Sequence, residues 1–181
     1  MAKNDHAHAI RMAESLKRRV NEAAAADFVA RLALSKSAGI EKKYEWAKTA
    51  CLYLEERFDE NTIQELRKEC SCSDGKSAAK RMKGYLRRAG RMREFVAVFN
   101  RSESFAQMEY LSENSLLFCY PECYCACIKR VPGEISKSWC YCTLGNAEGI
   151  FREVFQKQVR ASLVKSIKSG ADRCVISIGW Q

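Results

Sequence analysis

The sequence predicts an α+β fold, a helical N-terminal half packed on an antiparallel sheet. Three observations carry this expectation. Apolar residues recur at helical spacing through residues 1–110. Near Asn114 the character changes to short segments rich in aromatic, cysteine and β-branched residues. Alternating apolar runs then close the chain. Segregation of helices from strands along a chain is the pattern of α+β domains.

Ile10, Ala13, Leu16 and Val20 form the first helical stripe, and Phe28, Val29, Leu32 and Ala33 the second. Trp46, Ala47, Ala50, Cys51, Leu54 and Phe58 form the clearest one. Asp59 or Asn61 can cap a following helix through Leu66, which ends before the turn Cys70-Ser-Cys-Ser-Asp-Gly75. Further helices are expected over Ser77–Arg88 and, after Gly90, over Met92–Phe99. Leu116–Tyr120, Cys123–Val131 and Ser138–Thr143 read as antiparallel strands, with Pro132-Gly133 between the last two. Gly145–Gln156 returns to helical spacing. Val159/Ala161/Leu163 and Cys174/Ile176/Ile178/Trp180 alternate as a closing strand pair around Ser169-Gly170. The expected order after the helices is β-β-β-α-β-β. A length of 181 suits a single domain spanning residues 1–181, in which residues 1–110 are helical and residues 111–181 form a Cys-rich α+β region.

A composition 47% apolar and 29% charged is that of an ordinary soluble protein. No apolar run approaches the ~18 residues of a membrane span. Met1–Val20 lacks the apolar core of a secretory leader, so the expected location is the cytoplasm, where thiols stay reduced. Ten cysteines in that setting point to metal, redox or acylation chemistry rather than a disulfide scaffold.

The cysteines cluster as Cys123-Tyr-Cys125-Ala-Cys127, Cys140-Tyr-Cys142 and Cys70-Ser-Cys72. On a strand, side chains two apart share a face. A hairpin of the first two segments would bring Cys123, Cys125, Cys140 and Cys142 together, close enough to hold zinc or another soft metal. Cys70, Cys72 and Cys127 are further candidates, as metal ligands or as reactive thiols. The competing reading treats the cysteines as small buried hydrophobes, which suits Cys51 and Cys174 best. Cys119 stays unassigned.

Net charge is +9, and Lys76–Arg93 carries eight basic residues and no acid. Lys80, Arg81, Arg87 and Arg88 are candidate anion ligands, against the plainer reading of a solvated helix face. Tyr85 alone is interleaved, and no helix-turn-helix or zinc-finger spacing occurs, so nucleic acid is not the expected partner. His6 and His8 read as a disordered N-terminus, and no other histidine exists to serve as an imidazole base. Glu122, Glu134 and Glu148 are the carboxylates that could act as bases.

At Tyr120-Pro-Glu-Cys-Tyr-Cys-Ala-Cys-Ile-Lys-Arg130 and Trp139-Cys-Tyr-Cys-Thr-Leu-Gly145 the chain resembles an uncharacterised, Cys-rich family of bacterial and archaeal proteins with no assigned activity. The resemblance continues through Ile150–Phe155 and Ser166–Gly170 to Cys174–Ile178. More distantly the chain is similar to 4-vinyl-reductase-type small-molecule-binding domains and to aminothiazoline-carboxylate hydrolases. The vinyl-reductase resemblance implies the ligand-binding fold of nitric-oxide-signalling and Golgi-transport domains, with an apolar pocket. The haem ligand of those relatives does not transfer, since no histidine follows His8, so no haem is expected. No catalytic residue of the hydrolases maps onto this chain.

The leading expectation is a small-molecule- or metal-binding protein whose cysteine cluster lies beside an apolar pocket. The alternative is a small hydrolase of C–N bonds, and the third reading is polyanion binding through Lys76–Arg93. Enzyme activity and a homodimer are both left open.

Overall fold

The computed structural model describes residues 4–181, and the chain clusters into two compact units. The first runs to Cys72 and takes up Tyr124–Cys142; the second comprises Ser73–Cys123 and Thr143–Gln181.

The first unit is helical. It contains α1 (Ala7–Arg19), α2 (Glu22–Arg31), α3 (Ile40–Glu55), α4 (Glu60–Lys68) and, after the return of the chain, the single turn α7 (Lys137–Cys140). Side chains start the helices where the sequence places them. Asn21 accepts from the Ala24 N–H, Asp59 from the Thr62 N–H and Ser136 from the Ser138 N–H, satisfying donors that a helix N-terminus leaves unpaired. Met12 and Leu16 of α1, Ala47, Ala50 and Leu54 of α3, and Ile63 and Leu66 of α4 are fully or nearly fully buried. The Ser15 hydroxyl donates to the Leu66 carbonyl at 2.8 Å and ties α1 to α4. Phe28 meets Trp46 and Tyr53 edge-on, and Trp46 meets Trp139 edge-on with centroids 5.8 Å apart.

The second unit contains α5 (Lys76–Arg88), α6 (Met92–Ser102), β1 (Gln107–Ser112), β2 (Ser115–Tyr120), α8 (Cys142–Phe155, whose first residue belongs to the other unit), β3 (Val159–Lys165) and β4 (Cys174–Trp180). The four strands form one antiparallel sheet in the order β1-β2-β4-β3. Phe118 of β2 faces Ile176 of β4, and Ala161 of β3 faces Ile178. Helices cover this sheet through aromatic contacts. Phe118 packs edge-on against Phe99 of α6 and Phe151 of α8, while Phe155 stacks on Trp180 at 4.1 Å. The α+β class therefore holds, with helices packed on a four-stranded antiparallel sheet.

Three expectations about elements need correction. β1 is a strand that begins inside the stretch 1–110 read as helical. It is an edge strand with a weak alternation, held partly by the Asn100 side chain, which bonds both the N–H and the C=O of Met108 at 2.8 Å. Cys123–Val131 is not a strand. Pro121 cannot donate to a ladder, and a turn closes beyond it, where the Cys125 carbonyl accepts from the N–H groups of Ile128 and Lys129. Ser138–Thr143 is helical rather than extended. The cap at Ser136 starts it, and the large side chains of Trp139 and Tyr141 are buried.

Candidate functional site: a guanidinium buried among thiols

Arg67 sits on the buried stripe of α4. Ile63, Leu66, Arg67 and Cys70 follow one another at i, i+3, i+4 and i+7, and all four are buried, Arg67 with no exposed surface at all. Its guanidinium lies 4.3 Å from the centroid of the Trp139 ring, and Nη2 donates to the Trp139 carbonyl at 2.6 Å. Nε and Nη1 have no hydrogen-bond partner. A fully buried cation is expensive unless paired, yet Arg67 forms no ion pair with a carboxylate among the described residues. The groups around it are thiols. Burial acts to lower the guanidinium pKa, but the charges of Cys142, Cys70, Cys51 and Cys125 act to raise it, and the net direction is upward.

Those thiols differ sharply. Cys125, half-buried, is drawn well below the ordinary thiol range. The largest cause is the hydrogen bond it receives from the Cys127 thiol. Burial opposes that, and the Trp139 indole N–H at 3.4 Å, the Cys127 N–H and the Arg67 charge add to it. Cys127, buried and donating to Cys125, is pushed up correspondingly. Desolvation takes Cys142 to about 12 against the opposing pull of Arg67. Cys70 donates to the Leu66 carbonyl at 3.4 Å and is raised by burial, as is Cys51 on α3, which also bonds Ser138. One thiol of the group is thus set to ionise first, and it is the one that the Cys127 thiol and the indole N–H point toward.

Imidazole chemistry is present too. His8 is buried on α1 rather than lying in a disordered N-terminus, because the His6 side chain caps the helix by accepting from the His8 N–H. Its ring tilts against Trp139 at 5.8 Å, and its Nδ1 has no partner. Burial first, then Arg67, His6 and Arg11, lower its pKa to about 4, so it is neutral at pH 7.

Beside α7 the first unit also has a cleft of about 260 Å³ lined by Glu55, Phe58, Glu60, Ile63, Lys137, Ser138 and Tyr141. The Ser138 hydroxyl donates to Glu55 at 2.7 Å, while Tyr141 and Lys137 both donate to Glu60 at 2.6 and 2.7 Å. The pocket implied by the vinyl-reductase resemblance is apolar; this one carries two carboxylates.

The hairpin expected to hold a metal is absent. Cys140 is the last residue of α7 and Cys142 the first of α8. At ~100° per helical residue they do not share a face. Cys125 and Cys142 do both belong to the set around Arg67, and Cys123 belongs to the second unit. No group of three or more His, Cys, Asp or Glu side chains among the described residues is arranged to hold a metal ion. Cys70 is buried rather than in a polar turn, whereas Cys72 is exposed. Cys119 donates weakly to Glu109 at 3.9 Å, and Cys174 accepts from the Ile167 N–H at 3.4 Å. Of the candidate bases, Glu148 instead accepts from the Ala161 N–H at 3.0 Å.

On α5 the basic run is partly neutralised. Arg81 donates to Glu103 at 2.6 Å, Lys83 pairs with Glu153, and Arg88 lies over the Tyr85 ring. Lys80 and Arg87 form no ion pair among the described residues. Arg67 and Trp139 were missed as functional residues, although an arginine at the i+4 position of an apolar stripe is itself a signal.

The chain is similar to solved H-NOX structures. One is an H-NOX protein from S. oneidensis in the Fe(II)NO ligation state, 12% identical over 98% of this chain and 99% of that chain, with a TM-score of 0.46. Another is an unliganded Fe(II) H-NOX mutant from K. algicida, 9% identical over 98% and 97%, also at 0.46. These neighbours are H-NOX domains, not 4-vinyl-reductase-type domains or aminothiazoline-carboxylate hydrolases. The Fe(II) in the descriptions of those proteins stands against the expectation of no haem, which is withdrawn. That expectation rested on the absence of any histidine after His8. No helix among the described residues is long and apolar enough to cross a membrane. No curated protein matches the sequence. The sequence matches the family of unknown function DUF6144 over residues 2–181, and the chain belongs to that family.

Proposed function

We propose that the protein is a small-molecule-binding protein whose site is the thiol set around Arg67, with the Cys125 thiolate as the group that engages the ligand. The observation that carries this reading is the burial of Arg67 with two unpartnered N–H groups, thiols around it and, among the described residues, no carboxylate paired with it. A buried cation demands a negative partner, and Cys125 is the thiol whose surroundings favour the anion. A thiolate in a half-buried, electropositive site is a nucleophile and a soft ligand. Such a site suits small electrophiles and other soft ligands.

The reading is tested by alkylation with iodoacetamide at pH ~6.5, where an ordinary thiol is only ~1% ionised. Peptide mapping should find Cys125 labelled ahead of the exposed Cys72, and Arg67→Met should slow Cys125 several-fold. Labelling of Cys72 first, with Cys125 unreactive, would overturn the reading.

A further inference from the structure

We propose that Cys125 is a site of oxidation by hydroperoxides, and that Cys127 is the thiol that resolves the oxidised sulfur into a disulfide. The inference rests on the reading of Cys125 as the reactive group of the site and names one chemical class that it meets. Two sulfurs with different surroundings carry it. Cys125 is half-buried next to Tyr124, which is 43% exposed, so a small oxidant can reach it. Cys127 is buried. The turn closed by the Cys125 carbonyl, which accepts from the Ile128 N–H at 3.1 Å and the Lys129 N–H at 2.9 Å, holds the two cysteines within one turn, and Cys127 is the neighbour that most strongly lowers the Cys125 pKa. Trp139 Nε1 donates to the same sulfur at 3.4 Å, and the Arg67 guanidinium, lying over the Trp139 ring, supplies positive charge. The other thiols of the set are engaged otherwise. Cys70 is bonded to the Leu66 carbonyl, and Cys142 is held in the thiol form by burial.

The chemistry balances with the peroxide as oxidant. The Cys125 thiolate attacks one peroxide oxygen, the O–O bond breaks, and the departing hydroxide takes the Cys127 proton to leave as water. Cys125 is then a sulfenic acid and Cys127 a thiolate in the same turn. Attack of Cys127 on the Cys125 sulfur breaks the S–O bond, and the second hydroxide takes a proton from solvent. Together with the proton lost when Cys125 ionised, two thiols and one hydrogen peroxide become one disulfide and two waters.

The test treats the reduced full-length protein with one equivalent of hydrogen peroxide, blocks remaining thiols with N-ethylmaleimide and maps the peptides by mass spectrometry. The expected product joins Cys125 to Cys127, two hydrogens lighter than the reduced peptide, with Cys123 and Cys140 still blocked by the reagent. Cys127→Ser should stop at a Cys125 sulfenic acid that dimedone captures, and Cys125→Ser should leave Cys127 reduced. A disulfide between any other pair, or a Cys127→Ser protein that dimedone does not label, overturns the inference. If Cys125 alkylates first at mildly acidic pH yet forms no disulfide with peroxide, the oxidation fails while the ligand-binding reading stands. If Cys125 reacts with neither reagent, both fall. The wild-type peptide map decides the pairing even if a variant fails to fold.

Discussion

Arg67 and Trp139 clasp each other twice: the guanidinium stacks over the indole at 4.3 Å while Nη2 donates to the Trp139 carbonyl at 2.6 Å. The contact joins α4 to α7 and leaves Nε and Nη1 without a hydrogen-bond partner. Trp139 then passes the arrangement on, since its Nε1 donates to Cys125. The Arg67–Trp139 pair thus adds an N–H donor and a positive charge to the hydrogen bonding that Cys127 provides at Cys125.

Stability should depend on pH through Cys125. Its pKa is lower in the folded chain than in the unfolded one. Its contribution is therefore fully present above the unfolded thiol pKa of ~8.5 and lost as pH falls through the folded value. Denaturant midpoints of the wild type should rise with pH across that window, and Cys125→Ser should flatten the rise. Above ~8.5 the thiols Cys127 and Cys142, raised by desolvation and their neighbours, should reverse the slope.

His8 works at lower pH. It resists protonation until about 4 in the fold but takes up a proton near the ordinary imidazole value of 6.5 when unfolded. Its contribution is complete above 6.5 and is lost as pH falls toward 4, a change of about 3 kcal/mol. His8→Phe should remove that share of the acid sensitivity. An unchanged difference between wild type and variant from pH 7 to 4 would contradict the burial of a neutral imidazole.

Gly75 should not tolerate a side chain. It caps α5 at φ +64°, and a Cβ there would lie 2.3 Å from Ile150 Cγ1. Gly75→Ala combines left-handed strain with a clash in the second unit, and a loss of about 2 kcal/mol is expected by chemical denaturation.

Asn100→Ala leaves the N–H and C=O of Met108 without their side-chain partner at the edge of the sheet. The expected cost is ~1–3 kcal/mol, with faster amide exchange in β1 than in β4. Uniform loss of protection across the sheet would show that Asn100 does not act locally.

Elements defined by local periodicity were legible in the sequence. The stripes of α1, α3 and α8 and the alternations of β3 and β4 need only near neighbours to declare themselves, and the cap at Asp59 is written three residues from its partner Thr62. The Cys-x-Cys segments misled because an i, i+2 repeat reads as a strand face. A proline, a capping serine and two aromatic side chains that needed burial decided for a turn and helices instead. Composition turned attention to the cysteines, but sequence alone left Arg67 inside the charged triplet Arg67-Lys68-Glu69. Only tertiary structure could bury it, because the carbonyl that accepts its proton and the indole that covers it belong to a residue 72 positions away. Burial sets the cost of an unpaired charge, and burial is a non-local property. The local pattern therefore determined helices, strands and the supply of thiols, and the long-range packing of α4 on α7 added to the local Cys127 contact the indole N–H and the buried charge that favour the Cys125 anion.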